Sequence, residues 1–197
     1  MTQTTQQPTP AHAPARSAHH TAHTAPAGVS EQLNRLRAAV LGANDGIVST
    51  AAVVVGVAGA TGSTSAIATA GLAAVVGGAV SMALGEYVSV SSQRDSERTL
   101  GIAAQQRVNP WSAAIASFLS FLLGAILPFA AALLTPEQWR IPGIFALTLV
   151  SLAITGALSA RLGDAPVKRA VVRIVIGGTL ALLATFAVGT LFGQHVA

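Results

Sequence analysis

The chain has no cysteine, only seven acidic residues in 197, and charged side chains at just 9% of the total. Without cysteine there are no disulfides, thiolate zinc sites or thiol chemistry, and the redox state of the compartment leaves no trace in the sequence. Any metal chemistry must therefore use oxygen, nitrogen or thioether ligands. The scarcity of charge is equally restrictive. With 52% hydrophobic residues and a mean hydropathy of +0.61, the chain is too apolar for a soluble domain. Its length supplies about five membrane spans at roughly 20 residues each. The apolar runs contain no histidine and no Ser–His or paired-Asp arrangement, which argues against a membrane-embedded enzyme.

What charge there is leans positive, with a formal net charge of +4. In a soluble protein that balance would raise nucleic acid as a partner. Here the bases lie in short segments between apolar runs, where they set orientation, so no nucleic-acid role is expected. Residues 1 to about 30 are rich in Thr, Gln, Pro, Ala and His, show no periodic apolar face, and are expected to stay disordered. They hold no apolar h-region of the kind a cleaved signal peptide needs. His12, His19, His20 and His23 can bind metal loosely, but a polar tail that happens to contain histidine is the plainer reading.

Residues 31–197 read as an all-α, five-span membrane domain. Ser30 is placed to cap the first helix, and the spans are expected at about 38–60, 66–90, 111–134, 141–160 and 174–193. The uncharged turn around residues 59–65 makes the first two spans an antiparallel hairpin. Span 2 continues into a charged helical extension through Arg98. Asn109-Pro110 precedes span 3, Pro128 is expected to kink it, and residues 135–140 form the next turn. Of the eleven bases, ten fall on one side: Arg16, Arg35, Arg37, Arg94, Arg98, Arg107, Arg161, Lys168, Arg169 and Arg173. Only Arg140 falls on the other. The asymmetry places the N-terminus in the cytoplasm and the C-terminus outside.

Two acids interrupt the apolar runs: Asp45 in Leu41-Gly42-Ala43-Asn44-Asp45-Gly46-Ile47-Val48, and Glu86 in Ser81-Met82-Ala83-Leu84-Gly85-Glu86-Tyr87-Val88. A carboxylate at mid-bilayer costs at least a few kcal/mol, so Asp45 is expected to face a bundle interior or water. Met82 and Glu86 share a helix face at i,i+4. Asp45 lies eight residues beyond Arg37 and Glu86 eight before Arg94, which predicts matching depth, about 12 Å from each base. Gly42 and Gly46 flank Asp45, and Gly77, Ser81 and Gly85 stack along span 2, most simply as packing devices. Met82 has a second reading as core filler, and Glu86 as a snorkelling side chain or the partner of a loop arginine. Taken together, Asp45, Met82 and Glu86 suggest a metal site. Carboxylates suit divalent cations and carry protons, and a thioether favours softer transition metals, so the chemistry points to Fe²⁺ or Mn²⁺ exchanged with H⁺.

These residues also carry a resemblance. The stretches 42–48 and 78–95, with Asn109-Pro110-Trp111, resemble the vacuolar iron transporter family, which includes the yeast Ca²⁺-sensitive cross-complementer and plant nodulin-like proteins. The resemblance covers about residues 31–195. It implies a five-span homodimer in the lipid bilayer that exports cytosolic Fe²⁺ and Mn²⁺ against H⁺, needs no cofactor, and lines its path with the first spans of two protomers. Asp45 and Met82 match the family's pore-facing Asp and Met, and Glu86-Tyr87 matches its Gly-Glu-Tyr motif. Two departures stand out. Many members insert an acidic helical domain between spans 2 and 3, where this chain has about twenty residues, so no metal loading by such a domain is expected. Some relatives also carry a carboxylate where this chain has Ala74.

The sequence thus reads as a metal/proton antiporter. Asp45 is ligand and proton carrier, Met82 the soft ligand, and Glu86 the ligand that receives metal at the cytoplasmic mouth. The absence of an organellar targeting pattern fits a bacterial plasma membrane. The alternative is a non-transporting membrane scaffold or partner subunit, in which the small-residue stripes bind other helices and the acids pair structurally.

Overall fold

A computed structural model describes residues 28–196, with side chains described through residue 193. The four tail histidines named above lie outside the described residues. The described residues form five long helices: α1 (Val29–Ala60), α2 (Thr64–Thr99), α3 (Pro110–Leu134), α4 (Glu137–Leu162) and α5 (Val167–Val196). Each is long and apolar enough to cross a membrane. A short 3₁₀ turn, Ala104–Gln106, lies between α2 and α3.

Three local expectations shift. Gly28, in a left-handed conformation at φ +93°, occupies the N-cap of α1, so Ser30 falls inside the first turn. Residues 137–140 are helical because α4 begins directly after Pro136, a residue that cannot extend a helix backward but suits its start. Lys168, Arg169 and Arg173 likewise sit in the first turns of α5. Helix α3 continues through Pro128, whose side chain is fully buried.

The hairpin of α1 and α2 turns in three residues, and Ser63 Oγ accepts the Ala66 N–H to cap α2. The bundle nonetheless centres on α1, whose main neighbours are α3 and α5. Glycine sets these approaches. A methyl group at Gly42 or Gly46 would run into the backbone carbonyls of Ser117 and Phe121, one at Gly124 into the carbonyl of Ala43, and one at Gly189 into that of Gly56. Backbone-to-backbone contact of this kind is how membrane helices gain dispersion energy without a hydrophobic drive between them.

The largest core cluster joins Ala51, Val54 and Val55 of α1 to Ile67, Ala131, Ala132, Ile144 and Leu182. It lies toward the α1–α2 turn, where buried Arg140 donates to the carbonyl of Gly62 (3.2 Å) and to Thr64 Oγ1 (2.9 Å). The opposite end holds a smaller cluster of Ala38, Val90, Val108 and Ala113. Leucine, valine and isoleucine cover the outer faces of α2 and α5, as a lipid-facing surface requires.

Candidate functional site

Asp45 projects from the middle of α1, half-buried. Ser49, one turn on, donates its hydroxyl to Asp45 Oδ1 at 2.7 Å. Gly42 and Gly46 turn toward α3, so Asp45 occupies a neighbouring face of the helix, the one it shares with exposed Leu41 at i−4. The carboxylate is therefore held at the wall of the bundle, beside the close contact of α1 with α3.

Glu86 has a different setting. It is buried at 5% exposure, and Arg37 of α1 donates to its Oε2 at 2.9 Å while also reaching Asn34 Oδ1 at 3.4 Å. The pairing weighed for Glu86 is made, by an arginine within a helix rather than in a loop. Desolvation explains why a partner is needed, since a buried unpaired carboxylate costs several kcal/mol.

The acids do not share one level. Gly71 of α2 lies against Val54 of α1, and Glu86 against Arg37. This antiparallel register sets Asp45 opposite the stretch from Gly78 to Val80, with Glu86 about 9 Å or more closer to the Arg37 end. Matching depth fails because counting from Arg94 assumes that Arg94 and Arg37 mark the same plane, whereas α2 extends further than α1 beyond their contact. Met82 is partly buried and packs against the cluster of Ala79, Phe121 and Ala125. Among the described residues, no three His, Cys, Asp or Glu side chains converge as a metal cage.

Three residues passed over by sequence reasoning belong to this region. Arg37 engages Glu86, Ser49 orients Asp45, and Asn44 Oδ1 is buried without a hydrogen-bond partner. Asn44 lines a cavity of about 470 Å³ between α1, α4 and α5, together with Arg37, Ser159 and Arg173. Ser49 had a signal, since it lies at i+4 from Asp45. Arg37 had none, being 49 positions from its partner. The expected stripe of Gly77, Ser81 and Gly85 is exposed, and a methyl group at either glycine would meet nothing within 4 Å. Among the described residues, neither glycine packs against another helix.

Five apolar helices that carry a half-buried carboxylate and a buried glutamate paired with a half-exposed arginine define an integral membrane protein. The model of the VIT family matches residues 36–100 and 96–190, and the chain belongs to that family, the vacuolar iron transporters that its motifs resemble. It is 43% identical over 173 residues to vacuolar iron transporter homolog 1 of Oryza sativa subsp. japonica, covering 81% of this chain and 75% of the relative. It is also 43% identical over 174 residues to vacuolar iron transporter homolog 4 of Arabidopsis thaliana, covering 84% and 88%. Homolog 1 of Arabidopsis thaliana matches at 43% over 178 residues, covering 84% and 87%. Alignments this compact leave no room for a domain inserted between α2 and α3, so the short link is shared with these relatives.

Proposed function

We propose that the protein carries Fe²⁺ or Mn²⁺ out of the cytosol in exchange for H⁺, as a homodimer in a bacterial plasma membrane. Its N-terminus is then cytoplasmic and its C-terminus outside. The names of the relatives support iron as cargo. The observation that carries the reading is Asp45: an acid within a membrane span, hydrogen-bonded by Ser49 and presented on a face that includes exposed Leu41. A carboxylate so placed needs a second polar surface rather than lipid, and a two-fold copy brings a second Asp45 to the same axis. Two carboxylates, with Met82 near their level, make an oxygen and thioether set suited to a divalent transition metal. Glu86 receives the cation at the cytoplasmic mouth, and the incoming positive charge replaces the Arg37 guanidinium beside it. Once the metal leaves, Asp45 takes the proton.

The test is flux into liposomes that hold the purified protein and a pH-sensitive dye. Fe²⁺ or Mn²⁺ entry with opposite proton movement is expected, and Asp45→Asn abolishes both while leaving a folded protein. Wild-type flux in that variant sinks the assignment of Asp45. No flux by folded wild-type protein under an imposed proton gradient favours the scaffold reading, for which the internal Arg37–Glu86 pair is the supporting observation.

A further inference from the structure

One feature of α2 serves neither the bundle core nor the passage of a cation. Tyr87, Ser91, Arg94 and Arg98 recur at intervals of four, three and four residues, which aligns them in one stripe along the helix. The stripe faces Arg107 and Trp111 across a cavity of about 300 Å³. At one end the rings of Tyr87 and Trp111 meet, with centroids 4.8 Å apart and planes inclined by 56°. Arg107 is fixed in place, its Nε donating to the carbonyl of Ile102 at 2.8 Å, which leaves its terminal nitrogens available. Asp95 lines the same cavity, yet among the described residues neither Arg94 nor Arg98 has an ion-pair partner. Three guanidiniums against one carboxylate leave a positive hollow suited to a singly charged phosphodiester.

The depth of the hollow identifies the source of that anion. Trp and Tyr settle where the hydrocarbon meets the headgroups, and Arg94 lies about 10 Å beyond Tyr87 along the helix axis. Below the hollow, Trp111, Ile115 and Leu119 form an exposed apolar line down α3 at i, i+4 and i+8. A ligand with a phosphate at headgroup level and a hydrocarbon tail below it is a phospholipid. We propose that this cavity binds the headgroup phosphate of an anionic phospholipid, with an acyl chain lying along Trp111, Ile115 and Leu119. The proposal requires only the membrane setting, not the cargo or the direction of transport.

The full chain in zwitterionic detergent is mixed with phosphatidylglycerol or phosphatidylcholine, and bound lipid is counted by native mass spectrometry. Phosphatidylglycerol is expected to be retained preferentially, and the double variant Arg94→Gln with Arg98→Gln to bind it about 30-fold more weakly. Equal retention of the two lipids, or unchanged binding by the variant, overturns the proposal. Glycerol 3-phosphate is the soluble arm. If it displaces the lipid at matching concentration, the site takes a free phosphate ester and the lipid assignment falls. Should the variant fail to fold, a photoreactive phosphatidylglycerol on the wild-type protein decides. Labelling within residues 87–119 supports the site, and labelling confined to other segments overturns it.

Discussion

Arg37 and Asp45 lie eight residues apart on one helix and handle charge in opposite ways. Arg37 neutralises a buried acid on α2, whereas among the described residues Asp45 is hydrogen-bonded by the Ser49 hydroxyl alone. Removing the arginine strands Glu86 in a desolvated position, so Arg37→Ala is expected to destabilise the detergent-solubilised protein by about 2 kcal/mol, the loss discounted because half of the Arg37 side chain is exposed. Adding Glu86→Gln should restore part of that loss, which a thermal-melt double-mutant cycle measures; additive losses would mean that the pair is not coupled. Ser49→Ala is expected to weaken metal flux while Asp45 remains, because the carboxylate loses the hydroxyl that orients it. Unchanged flux in liposomes would place Ser49 outside the site. Asp45 was legible in the sequence because a carboxylate within an apolar run has a fixed cost that something must offset. The partner of Glu86 was not, since an ion pair across 49 positions depends on a helix register that no local pattern records.

At the level of helices, the glycines separate into two kinds that look alike in the sequence. Gly46 rests on the backbone of Phe121, whereas a methyl group at Gly85 would meet nothing within 4 Å. Gly46→Ala therefore forces α1 away from α3 and is expected to cost about 1–3 kcal/mol, with metal flux falling as Asp45 shifts. Gly85→Ala should instead leave the thermal midpoint unchanged or raise it, since alanine is favoured over glycine in a helix by about 0.5–1 kcal/mol. A lower midpoint for Gly85→Ala would show that another surface lies against α2. The five helices themselves were evident from their apolar runs and flanking Gly and Pro. Their ends were less so: α4 and α5 begin several residues before the expected spans, because helix formation continues into the polar interface where hydropathy has already fallen.

For the whole molecule, the absence of cysteine becomes an experimental convenience. A single Ser92→Cys on the arginine-rich side and a single Ser65→Cys beside the α1–α2 turn give two labelling sites in an otherwise thiol-free chain. With the proposed orientation, an impermeant maleimide added to whole cells should react at position 65 and not at position 92. The reverse pattern would invert the topology. The count of ten bases against one was plain in the sequence. That the lone exception, Arg140, is buried and ties α4 to the turn at Gly62 and Thr64 was not. Its contacts lie more than 70 positions away, and in a linear reading it is simply one more loop charge.

The ten residues between α2 and α3 are braced at both ends. Glu97 Oε2 accepts the N–H of Val108 at 3.0 Å, Arg107 grips the carbonyl of Ile102, and Glu31 of α1 accepts the N–H of Asn109 at 2.6 Å. A link stitched in this way acts as a strut rather than a tether. Tilting of α2 about its midpoint is then delivered to the head of α3 with little slack, and from there to the glycine seam that α3 shares with α1. A load on the stem of α2 beyond its contact with Arg37 is thus shared with the head of α3 and the first turn of α1, as in a crank handle braced at its elbow.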